Sequence, residues 1–292
     1  RSFLWMAGGA MILAVGLDMA VVDDAIFKER SYFGRVIVQE KVEHDLPKRI
    51  MIHGDTVHGE QILDETLERV PLSYYGPESG IARTIDELNR RRAADDVAIV
   101  GLGAGAMAAF ARDGQSYLFI EIDPLVARVA QNPEYFTFLE NCGEACRVRV
   151  GDGRRVLDEM DDRQFELLVL DAYSSDSIPV HLITKQAVEL YRTRLVDDGV
   201  LAFQISNQYV SLSEPLANIA GALGLAAYFV HYVPDAQQRK LGVKPSDWVF
   251  MTAPDAPMNA WFAAEPDFER LRSTNAAVWT DDYANVLSVI GQ

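Results

Sequence analysis

Acids and glycines at the ends of apolar runs mark where this chain can do chemistry. Residues 97–106 read V-A-I-V-G-L-G-A-G-A, placing Gly101, Gly103 and Gly105 directly behind an apolar run. Glycine lets the backbone turn tightly and approach a ligand with no Cβ in the way, and a helix that follows offers free N–H groups. About 20 residues later the run F-I-E-I-D-P carries Glu121, and a carboxylate there can accept hydrogen bonds from both ribose hydroxyls of a nucleoside. Asp152 and Gly153 follow the third run in V-G-D-G; Asp152 can accept from an adenine amino group or cap a helix. Asp171 ends the fourth run, L-L-V-L, with Tyr173 and Asp176 close behind. An acid where a buried apolar strand emerges is poorly explained by packing. The glycine pattern alone also suits close packing of a strand on a helix, and Met107 and Ala108 depart from the dinucleotide fingerprint. The joint signal at four successive strand ends points to a nucleoside site.

These positions need an alternating scaffold. Strands are expected at 97–100, 117–122, 147–150, 167–170 and 199–205, separated by helices at 104–112, 124–130, 154–160 and 185–195. A helix at 214–223 and strands at 227–232 and 248–252 complete the series. Nearly all-apolar strands alternating with helices imply a parallel sheet covered on both faces. The expected fold class is therefore α/β, a class I methyltransferase-like doubly wound seven-stranded sheet. Before it, short strands at 35–39 and 49–52 flank a polar turn at 44–47, a helix is expected over 61–69 and another over 81–92. The domain reading is an apolar segment at 1–27, a β-hairpin region at 28–76 and a Rossmann-like nucleoside-binding catalytic domain at 77–292.

The chain has 292 residues, 49% of them hydrophobic, and a formal net charge of -16. That charge argues against a nucleic-acid partner, which needs clustered Lys and Arg, and suits a cationic small molecule. Cys142 and Cys146 are the two cysteines; with no His beside them to complete four ligands they are expected to be free thiols in a reducing compartment, with no metal. His53, His58 and Asp55 make a poor metal set, His58 suits a polar cleft lining or a turn, and His181 suits a loop anchor. Residues 3–17 carry no charge but fall short of the ~20 residues that span a bilayer. The end of a transmembrane helix, a signal-peptide core and a buried or interfacial helix all fit.

The runs GLGAGA, FIEIDP, VGDGR and LLVLDAYSSDSIPVHLIT together resemble the spermidine synthase-like (polyamine synthase) family, particularly membrane-fused bacterial members, over residues 29–207. Residues 31–38, 58–61 and 71–75 resemble that family's N-terminal β-hairpin region, and 279–283 its C-terminal tail. The resemblance implies transfer of an aminopropyl group from decarboxylated S-adenosylmethionine to a small cationic amine, releasing methylthioadenosine. It implies Asp171 as base, Asp176 as a holder of the substrate ammonium, and Tyr173 as part of the same pocket. His58 and Gln61 would lie on the amine side, and Gly101, Gly103, Gly105, Glu121, Asp152 and Gly153 on the donor side. It also implies a cytoplasmic catalytic domain, tethered to the inner membrane where the first segment spans it, and a homodimer. Ala104 stands where the family carries an Asp, and Asp171 and Asp176 are five apart rather than three. Intact S-adenosylmethionine as the co-substrate, and a non-catalytic nucleoside-binding role, are the alternatives. Asp281 and Asp282 either close over the acceptor or form a solvated turn.

Overall fold

The computed structural model describes residues 25–54, 56–91, 95–160, 163–172, 179–206 and 211–289. Its larger sheet has eight strands in the order β12-β10-β11-β9-β8-β5-β6-β7. The parallel strands are β5 (Asp96–Val100), β6 (Ser116–Glu121), β7 (Cys146–Val150), β8 (Phe165–Leu170) and β9 (Leu195–Gln204). β10 (Ala226–Tyr232), β11 (Ser246–Thr252) and β12 (Glu269–Arg270) pair antiparallel. The expected seven-stranded core is present, extended by the two-residue β12 at one edge.

Period-2 alternation explains why this sheet is covered on both faces. Val97 and Ile99 of β5 enter one core with Ile81, Ile85 and Leu88 of α1 (Gly80–Arg91), while Ala98 and Val100 enter the other. That second core takes Val156 and Leu157 from α4 (Gly153–Asp158) and Val188 and Tyr191 from α5 (Lys185–Thr193). Leu216 and Ile219 of α6 (Ser213–Ala222) complete it. The chain runs outward from β5 to β7 and returns to β8 beside β5. The crevice beyond the ends of β5 and β8 is thus a topological switch point, where open α/β sheets bind ligands.

A second, antiparallel sheet of β1 (Ala25–Arg30), β2 (Arg35–Glu43), β3 (Leu46–His53) and β4 (Thr56–Ile62) precedes it. β1 begins inside the segment assigned as apolar tail. His44 and Asp45, at φ 53° and 65°, make the tight β2 to β3 turn. The helix expected over 61–69 is replaced by the end of β4 and a run of turns. The reason is that the buried polar residues of β4 are paired: Glu60 with Lys48 (3.6 Å) and Lys244 (2.7 Å), Gln61 with Glu68 and Thr137. The helix expected over 104–112 is a 3-10 turn, Ala106–Phe110, entered from Gly105 at φ 88°.

Cys142, at the end of α3 (Phe138–Cys142), is joined to Cys146, at the start of β7, in a disulfide with Cα atoms 5.7 Å apart. This corrects the expectation of free thiols, and the reducing compartment inferred from it loses its support. The spacing permits the bridge because helix end and strand start are separated by one short turn. No helix among the described residues is long and apolar enough to cross a membrane; residues 3–17 lie outside them.

Candidate active site

A cavity of about 380 Å³ opens over the ends of β5, β6, β7 and β8, within the range of small-molecule sites. Gly101, Gly103, Glu121, Asp152, Gly153 and Asp171 all line it. Two glycines are required by close approach. A Cβ on Gly101 (φ +105°) would lie 2.3 Å from the carbonyl oxygen of Asp171, and one on Gly103 (φ +54°) 2.2 Å from that of His58. Gly105 lies behind the cavity, against Phe138 and Leu139 of α3.

Glu121 is held rigidly. Its Oε2 accepts from the Leu102 amide at 3.1 Å and its Oε1 from the Asp123 amide at 2.9 Å, so the carboxyl spans the first two strand ends. Burial pushes its pKa up, and the two amide donors oppose that shift. Asp123 caps α2 (Pro124–Ala130), accepting from Leu125 at 2.8 Å and from the Ser31 hydroxyl at 2.5 Å. Asp152 both caps α4, through the Arg155 amide at 2.9 Å, and faces the cavity. Its Oδ2 lies 3.1 Å from Nε2 of His181.

Asp171 sits deep at the head of β8, with part of its surface open to the cavity. Enclosure away from bulk water raises its pKa to about 7, Glu121 adds to the rise, and a hydrogen bond donated by the Tyr75 hydroxyl opposes it. Tyr75 is positioned from a distance. Ser73 bridges Val243 through its amide to Gly242 (3.1 Å) and its carbonyl to Lys244 (2.8 Å), and the Tyr75 ring packs against Trp248.

The second wall comes from the N-terminal sheet. Phe33, His53, Thr56 and His58 line the cavity, and the His58 carbonyl accepts from the Ala104 amide at 3.0 Å. Gln61, expected on the amine side, is not among the residues lining it, and its amide donates to Glu68 and Thr137. Tyr173 and Asp176 lie outside the described residues. Asp281 neither closes the cavity nor stands free in solvent: it forms a bidentate pair with Arg154 at 2.7 Å. The sequence assigned Tyr75 no role; His181, expected as a loop anchor, also lines the cavity beside Asp152. No set of three or more His, Cys, Asp or Glu among the described residues is arranged to hold a metal.

Fold and strand-end acids define a class I methyltransferase-like α/β protein with a small antiparallel sheet at its N-terminus. Its fold is similar to that of solved spermidine synthases. It superposes on a probable spermidine synthase from Corynebacterium glutamicum ATCC 13032 with a TM-score of 0.59 and 14% identity, covering 89% of this chain and 96% of that one. The spermidine synthase of Thermotoga maritima gives 0.54 and 12%, covering 86% and 81%, as does a spermidine synthase in complex with the transition state analogue AdoDATO. Among curated proteins, the polyamine aminopropyltransferase of Vibrio vulnificus (strain CMCP6) is 28% identical over 133 residues. That match spans 43% of this chain and 43% of the relative's length. No family model matches.

Proposed function

We propose that the protein transfers an aminopropyl group from decarboxylated S-adenosylmethionine to a small amine, releasing methylthioadenosine. The observation that carries this reading is Asp171: a carboxyl with its pKa raised to about 7, in one cavity with the nucleoside-type acids Glu121 and Asp152. The spermidine synthase fold and the named relative support it.

In this reading Glu121 takes the ribose hydroxyls, Asp152 the adenine amino group, and the turn at Gly101 and Gly103 lets the backbone lie against the donor. The amine nitrogen attacks the carbon beside the sulfonium; the C–N bond forms, the C–S bond breaks, and its electron pair stays on sulfur as a neutral thioether. The nitrogen's surplus proton passes to Asp171, whose pKa near the working pH suits a general base. Tyr75 fixes the carboxylate that receives it. Tyr173 and Asp176 are proposed for the amine side of the same pocket.

Incubating the protein with decarboxylated or intact S-adenosylmethionine and a panel of diamines, with mass spectrometry for methylthioadenosine, tests the reading. Product is expected only from the decarboxylated donor together with an amine. Product from the intact donor alone would overturn it. A second expectation concerns the donor end: Glu121→Gln removes the charge while keeping an acceptor for one backbone amide, and should weaken donor binding by roughly 1.5 to 3 kcal/mol. Calorimetric titration with methylthioadenosine checks this, and unchanged affinity would remove Glu121 from the site.

A further inference from the structure

A network outside the strand-end acids ties the C-terminal segment to the cavity wall. Arg154 lies on the first turn of α4, two residues beyond Asp152, and its guanidinium grips Asp281, 127 positions away, with Nη1 to Oδ1 and Nη2 to Oδ2 both at 2.7 Å. The same Nη1 donates to the His181 carbonyl at 3.0 Å. Asp281 also accepts from the Thr184 hydroxyl at 2.6 Å, and its amide donates to Gln186 at 3.1 Å. The Arg154–Asp281 pair therefore holds both ends of the segment 181–184, Arg154 at the His181 carbonyl and Asp281 at the Thr184 hydroxyl, and the His181 imidazole meets Asp152. An ionised carboxylate only accepts, so Nε2 of His181 carries the proton in that contact.

We propose that the Arg154–Asp281 pair is a latch that fixes His181 beside Asp152, and that this latched pair selects an amino-bearing purine over an oxo-bearing one. The proposal rests on the nucleoside reading of the cavity. Asp152 offers only acceptors to a base; the adenine 6-amino group donates to it, whereas the 6-oxo group of hypoxanthine presents a second acceptor. His181, donating to Oδ2, sets the plane of the carboxylate. Arg154 and Asp281 do not line the cavity and act as positioning residues. A bidentate pair resists reorientation in a way that a single contact does not. Arg154 holds the Asp281 carboxyl at a pKa of about 2, well below its ordinary value. The latch is therefore closed throughout the range in which the protein would be assayed.

The test is calorimetric titration with methylthioadenosine and methylthioinosine. Wild type should prefer the adenine ligand by tenfold or more. Asp281→Asn, Arg154→Gln and His181→Ala should each cut that ratio at least threefold, while Asp282→Asn, on the exposed neighbour, leaves it alone. The exchange Arg154→Asp with Asp281→Arg should recover part of the ratio. If Asp281→Asn proves too unstable, Thr184→Val removes one contact to the latch and should shift the ratio in the same direction. Equal weakening of both ligands, or an unchanged ratio, would mean that the pair merely holds the fold and would overturn the latch while leaving the nucleoside reading intact. Failure of wild type to bind either ligand would instead remove the nucleoside reading, and the latch with it.

Discussion

Asp171→Asn is expected to lower turnover by about 10²- to 10⁴-fold, the usual contribution of a general base, and at the same time to make the protein more stable at pH 8. The stability half follows from linkage. Folded Asp171 titrates near 7 against an ordinary 3.8, so between those values the folded state binds more protons than the unfolded state. Stability must then fall as pH rises through that window, and stay low above it. The interval corresponds to an upper bound on the order of 4 kcal/mol, and Asn, which never ionises, escapes it. Tyr75 can still donate to the Asn carbonyl, so its hydroxyl is not orphaned. Denaturant titrations should show the variant ahead by on the order of 2 to 4 kcal/mol at pH 8 and level with wild type near pH 4. Wild-type turnover should rise through about pH 7 as the base loses its proton. A variant no more stable at pH 8 would mean that the carboxylate ionises there without penalty, and would end its case as a tuned base.

The second large effect is expected at Gly101. An alanine there must hold φ near +105° and place its Cβ 2.3 Å from the Asp171 carbonyl, which belongs to the neighbouring strand and cannot swing aside. Backbone strain and overpacking each cost about 1 to 3 kcal/mol, so Gly101→Ala should destabilise by on the order of 3 to 5 kcal/mol and displace Asp171. Gly114→Ala separates the two causes. Gly114 has φ +87° but nothing within 4 Å of the added Cβ, so it should lose only the strain, about 1 kcal/mol. Equal losses at both positions would show that close approach plays no part at Gly101.

The parallel sheet was legible because β5, β6 and β8 are almost wholly apolar, as strands buried on both faces must be, and because their acids arrive abruptly at the strand ends. What could not be read depends on distant partners. Glu60 and Gln61 look like surface residues until Lys48, Lys244 and Thr137 are brought beside them, and so the end of β4 read as the start of a polar helix. Tyr75, in a stretch rich in turn residues, is aimed at Asp171 by the bridge between Ser73 and Val243 and by packing against Trp248. The cysteines show the limit of spacing: four positions fit a short turn with free thiols as well as the disulfide that the meeting of α3 and β7 allows.

The hydrogen bond from the Ala104 amide to the His58 carbonyl has a consequence for engineering. The glycine turn is moulded against β4, so the side of the cavity proposed for the nucleoside is not completed by its own sheet. Cutting the chain at residue 77 would separate β4 from the glycine turn it packs against. In the proposed reading, grafting the N-terminal sheet of a relative to change amine preference would also retune affinity for the nucleoside. In that reading the two specificities are inherited together.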